Sequence, residues 1–148
     1  MAVAAAWSPR DDVIAFISLG QPRFGPDGAW QEVMAALDGP NPLGVGLYQR
    51  REGKVVAFAP IGEMDLGYRW PDQLYQQLLR PVWSSDGEQL VYRDSAGKAW
   101  VFSAGDLTQY ELDTGDSPVT GFRWSPDGKM LAVSTSDRLW VFSIPCSP

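Results

Sequence analysis

Trp124-Ser125-Pro126-Asp127-Gly128-Lys129-Met130-Leu131-Ala132-Val133 is the stretch that decides the fold. Ser125-Pro126-Asp127-Gly128 is turn chemistry. Proline presets φ, aspartate hydrogen-bonds to nearby backbone, and glycine accepts a positive φ. Residues 120–125 read as a strand ending in Trp, and residues 130–134 resume as a second strand. A polar turn at Ser136-Asp137 leads into a third, residues 138–143. The pattern is three consecutive antiparallel strands.

The phrase recurs as Trp83-Ser84-Ser85-Asp86-Gly87 and, more loosely, as Trp7-Ser8-Pro9-Arg10-Asp11-Asp12. Each copy precedes a compact apolar run, at residues 13–16, 89–92 and 130–133. Residues 98–103 match 138–143 almost one for one, and a turn at 104–106 leads to a fourth strand over 107–112. In the first copy residues 46–50 take the third-strand place, 51–53 the turn and 54–59 the fourth strand. Trp83 and Trp124 are 41 residues apart, and Trp100 and Trp140 are 40 apart. Trp7 and Trp83 are 76 apart, which resolves into one regular spacing plus insertions of 24 and 11 residues.

A four-stranded antiparallel unit of about 40 residues has the size of a β-propeller blade. The expected fold is therefore all-β: two full four-stranded blades plus one three-stranded blade, in a single partial propeller domain over 1–148. Blade 1 takes residues 1–60 with an insertion at 19–43, and an inter-blade insertion occupies 60–80. Blade 2 takes 80–113 and blade 3 takes 118–144. The Trp-Ser-Pro-Asp-Gly phrase resembles the WD40-like, TolB-type (PD40) propeller repeat, which also builds the non-catalytic propellers of prolyl oligopeptidase-like enzymes. The resemblance covers about 80 of the 148 residues. The first copy departs from it, with Arg10-Asp11-Asp12 in place of Asp-Gly, and the Gly-His and Trp-Asp signatures of true WD40 repeats are absent.

Composition agrees with a β domain. Hydrophobic residues make up 45% of the chain, which argues against disorder. Seven Trp, five Tyr and six Phe suit a pleated, half-buried surface. The net charge of -6, without a basic face, disfavours nucleic acid. No apolar run is long enough to span a membrane as a helix. Residues 1–6 are too short and uncharged for a signal peptide, and the compartment stays open. One cysteine, Cys146, allows no intrachain disulfide. The absence of histidine excludes a Ser-His-Asp triad, a Cys-His pair or a His-ligated metal within this chain.

Propellers close with about four to eight blades. Three blades leave two apolar faces open, and open faces invite association. Either the chain is a segment of a longer propeller, the favoured reading, or chains assemble to complete the ring. The isolated chain is expected not to be a well-behaved monomer.

Both insertions occupy loops that open on one face of a propeller, so they are expected to be neighbours on one rim. Each is expected to carry a helix. Trp30, Val33, Met34 and Leu37 form a stripe at helical spacing, with Asp27 as N-cap and Gly39 as terminator. Pro71 suits a first helical position, Leu74, Tyr75, Leu78 and Leu79 follow, and Pro81 ends the helix. These stripes either pack on the blade tops or, with Trp30, Tyr68, Trp70 and Tyr75, line a binding surface, since long loops are often functional and aromatics are enriched at interfaces.

Other signals have simpler explanations. Asp12, Asp86 and Asp127 fit turns, and Trp7, Trp83 and Trp124 fit packing between blades. The expected first strands carry no carboxylate, which disfavours a glycosidase. Gly39-Pro40-Asn41-Pro42 lacks the Lys-Ser/Thr of a phosphate loop. No catalytic residue, metal or cofactor is expected. The leading reading is a non-enzymatic interaction or scaffold module that binds a protein or peptide through the decorated face. The alternatives are the non-catalytic propeller of a peptidase or other hydrolase, and a carbohydrate-binding propeller.

Overall fold

The computed structural model describes residues 2–10, 12–19, 23–24, 30–31, 40–65 and 80–145. The first repeat supplies β1 (Ala2–Trp7) and β2 (Val13–Leu19), then the two-residue strands β3 (Arg23–Phe24) and β4 (Trp30–Gln31). It continues with β5 (Pro40–Gln49) and β6 (Lys54–Asp65). The second repeat supplies β7 (Val82–Trp83), β8 (Gln89–Arg93), β9 (Ala99–Ser103) and β10 (Gln109–Leu112). The third supplies β11 (Val119–Trp124), β12 (Met130–Thr135) and β13 (Leu139–Ser143). They form three antiparallel blade sheets, ordered β1-β2-β5-β6, β7-β8-β9-β10 and β11-β12-β13. The fold is all-β, in incomplete propeller blades of four, four and three strands.

Alternation along each strand makes two faces per blade, and blades stack through them. One core lies between blades 1 and 2: Ala15, Ile17, Val45 and Leu47 meet Trp83, Leu90, Tyr92 and Phe102. A second lies between blades 2 and 3: Val91, Ala99 and Val101 meet Trp124, Leu131 and Val133. Blade 2 therefore buries both faces.

The repeated phrase carries this stacking. Trp83 donates its indole Nε1 proton to the carbonyl of Ala6 at 3.1 Å. One blade on, Trp124 donates to the carbonyl of Val82 at 3.0 Å. Each acceptor is the residue before the previous blade's Trp. The turns stack as well. Gly128, at φ +71°, lies so close to Ser85 and Asp86 that a side chain there would crowd them, and Gly87, at φ +72°, sits the same way against Ser8 and Arg10.

The structure departs from the sequence expectations in four places. Trp30, expected on a helix capped by Asp27, lies on β4, where Trp30 pairs with Phe24 and Gln31 with Arg23. At Trp30 a short strand pairing overrides the 3.6-residue period of the apolar stripe. Val33, Met34 and Leu37, and the second expected helix over 71–79, lie outside the described residues. The third and fourth strands of blade 1 are longer than expected, because pairing continues from Gly44 and Pro60 through a bulge to Pro40 and Asp65. Leu107 is not in a strand: it takes φ 61° in the turn before β10, where Asp106 accepts from both the amide and the hydroxyl of Thr108. Finally, β7 is only two residues long, since Pro81 before it has no amide to give a ladder.

Candidate interaction surfaces

Two regions are unlike the regular repeat: the rim from which the insertions spring, and the two end faces of the blade stack.

The rim is built on the β5–β6 hairpin. Its strands run 10 and 12 residues, against five and four in β9 and β10. Pro40 and Asp65 are register partners at its open end, where the segments 32–39 and 66–79 join it. Leu19, the last residue of β2, pairs with Leu43 on the same strand. The hairpin is tied to blade 2, for the Ser95 amide donates to the Ile61 carbonyl at 3.0 Å. Gly62, at φ +117°, lets the strand pass against Ser95 where any side chain would collide. Of the candidate binding residues, Trp30 is placed by its backbone on β4, while Tyr68, Trp70 and Tyr75 lie outside the described residues.

The end faces follow from the repeat. On the face each blade turns toward its predecessor, the ladders align Trp83, Leu90 and Phe102 in blade 2. Trp124, Leu131 and Phe142 align in blade 3, and Trp7, Ile14 and Tyr48 in blade 1. Trp83 and Trp124 are each 9% exposed, but Trp7 is 58% exposed. On the opposite face, Ala15 and Leu47 of blade 1 and Val91 and Val101 of blade 2 are buried. Their counterparts in blade 3 are Ala132 and Val141, and Val141 is 57% exposed. Leu139, at the place of the fully buried Ala99, is 70% exposed. The packing role read for Trp7 in the sequence is thus met by no neighbouring blade among the described residues. The signal for these end faces is the repeat ruler itself, which assigns Trp7 and Val141 the places that are buried elsewhere.

The repeated acids are structural. The Ser84 hydroxyl and the Glu88 amide both donate to Asp86 Oδ1, and Ser125 and Lys129 do the same for Asp127. Burial pulls the Asp86 carboxyl up, but the Ser84 hydroxyl, the Glu88 amide and the Arg10 charge outweigh it and hold it below the ordinary value. The Ser125 hydroxyl and the Lys129 amide lower Asp127 likewise. Asp12 is different: Arg10 stands at the place of Asp86, and Asp12 instead pairs with Arg50 at 3.4 Å and Arg51 at 3.7 Å. Among the described residues, no group of three or more acids and cysteines is placed to hold a metal ion. No helix of the described residues is long and apolar enough to cross a membrane.

The family model for the anaphase-promoting complex subunit 4 WD40 domain matches residues 78–142. No curated protein matches the chain. Among solved structures, the C-terminal WD40 domain of Sif2 matches at a TM-score of 0.61 and 16% identity, over 98% of this chain and 34% of that one. The β-propeller domain of the Trilobed protease from Pyrococcus furiosus matches at 0.58 and 10% identity, over 96% and 38%. Pyrococcus horikoshii acylaminoacyl peptidase matches at 0.54 and 10% identity, over 89% and 16%. The chain spans under two fifths of each of these proteins' length. Stacked four-stranded sheets, a 41-residue Trp spacing and these likenesses agree: the fold is that of a WD40-like β-propeller.

Proposed function

We propose that the chain is a non-enzymatic interaction or scaffold module of TolB-like propeller type, binding a protein or peptide through its decorated rim. The observation that carries the reading is the pairing of Pro40 with Asp65. That pair ends the hairpin where both insertions attach in sequence, the first carrying Trp30 and the second Tyr68, Trp70 and Tyr75. That hairpin is braced on blade 2 through Ser95, so the segments start from a fixed base. Loops held on a rigid scaffold are where propellers and other repeat folds carry recognition. Trp30, Tyr68, Trp70 and Tyr75 supply the rigid aromatic area that dominates such contacts.

The test is selection of peptides from a displayed library on the 148-residue chain, followed by affinity measurement on variants. Trp70→Ala and Tyr75→Ala are expected to weaken the selected peptides by at least about tenfold, the size of a typical hot-spot loss, with unchanged circular dichroism. Unchanged affinity with an intact fold removes the reading.

A second reading is supported by the likeness to two peptidase-associated structures. In it the chain is the non-catalytic propeller of a hydrolase, gating substrate to a separate domain. An α/β-hydrolase sequence beside this one in the parent gene would decide for it.

A further inference from the structure

The two end faces of the blade stack carry the two halves of one contact. Within the chain that contact is made twice, by Trp83 on the Ala6 carbonyl and by Trp124 on the Val82 carbonyl. Around each hydrogen bond, an aromatic and aliphatic row closes on an aliphatic row. Continued one step before blade 1, the donor is Trp7, whose indole has no acceptor among the described residues and is 58% exposed. Continued one step after blade 3, the acceptor is the carbonyl of Arg123, which stands before Trp124 as Ala6 and Val82 stand before Trp7 and Trp83. Beside Arg123 the register aligns Ala132 and Val141, and Leu139 and Met130 flank them. All three larger side chains are exposed, at 70% for Leu139, 57% for Val141 and 44% for Met130.

We propose that these faces bind each other between two copies of the chain, head to tail. Trp7 of one copy donates to the Arg123 carbonyl of the other, and Ile14 and Tyr48 close over Ala132 and Val141. The occupant is a second copy because this chain itself carries both complementary halves, each in the chemistry that its own internal blade contacts already use. A contact between two different patches is heterologous, and it closes only if the rotation completes a ring. Two copies bring together six blade sheets, inside the range of about four to eight in which propellers close.

The experiment is sedimentation equilibrium on the 148-residue chain and two variants, Trp7→Ala and Val141→Asp. Both side chains are mostly solvent-exposed in the single chain, so each variant keeps its fold, which circular dichroism verifies. The wild type is expected at twice the chain mass, and each variant alone at the single mass. Mixing the variants is expected to restore dimers, because the Trp7→Ala copy keeps an intact blade 3 face and the Val141→Asp copy keeps an intact Trp7. A mixture that stays monomeric overturns the proposal, and so does either variant that stays dimeric alone, as a symmetric face-to-face dimer would give. So does a wild type that remains monomeric, or that aggregates without fixed stoichiometry, as faces made for blades encoded outside this sequence would. Dimers that survive both substitutions overturn it too.

Discussion

Ser84 and Ser125 show how much a single residue does in this fold. Each hydroxyl donates to the turn aspartate and also accepts the amide five residues on, at 3.0 Å in Gln89 and 2.9 Å in Met130. These bonds close the turn, which presents the glycine that nests on the previous blade. This network sets an acid dependence. Asp86, Asp127 and Asp137 all have carboxyls held below the ordinary 3.8. For Asp137 the hydroxyls of Ser117 and Thr135 do this. The unfolded chain therefore takes up protons at a higher pH than the native one. The stability these groups contribute is present above pH 3.8 and is lost as pH falls through their lowered native values. Thermal melts across that range are expected to show the loss, and Asp86→Asn together with Asp127→Asn is expected to flatten it. An acid limb that keeps its slope in the double variant would place the titration elsewhere.

At the scale of elements, β5 shows what the sequence left hidden. The sequence reading starts the third strand at Gly46 and leaves Gly44 before it, yet both lie inside β5, each under an aromatic ring. The Phe16 ring covers Gly46 and the Phe58 ring covers Gly44, so closely that a Cβ at either position would overlap the ring. Glycine here makes room for a neighbour's side chain rather than for a turn. Gly46→Ala is expected to destabilise the chain by about 1–3 kcal/mol, the usual cost of overpacking a filled site. Gly105→Ala, with open space around it, is expected to change little. Equal midpoints for the two in urea would contradict the ring packing. The blades themselves were legible because Trp, turn and apolar run recur at a fixed spacing. The ends of β5 and β6 were not: Pro40, Pro42 and Pro60 argue against a ladder, and only a bulge between Leu43 and Gly44 lets the pairing continue past them. The helix read from Trp30 failed for a related reason. Period, cap and terminator are all local signals, and Trp30 is held instead by pairing with Phe24. The open end faces were implied by the count of blades, but which side chains they expose needed the register.

At the scale of the whole molecule, the stack has an interior and two ends, so its stability is uneven. Repeat units draw their stability from neighbours, and a unit flanked on both sides is held twice. Blade 2 is that unit. Leu90, Val91 and Val101 are fully buried, Tyr92 is 1% exposed, and β8 is paired on both edges by β7 and β9. In blade 3, β13 is paired on one edge only among the described residues, and every second side chain along it faces solvent. Native-state hydrogen exchange is expected to grade accordingly, with amides of β8 and β9 opening only with global unfolding and those of β13 exchanging faster by orders of magnitude. Docking a second copy on blade 3 covers Val141 and Leu139 from above but adds no strand beside β13, so raising the protein concentration is expected to slow exchange along β12 more than at the free edge. Uniform protection across β8 and β13 would mean that a further strand covers that edge, and the blade would then have four strands in solution.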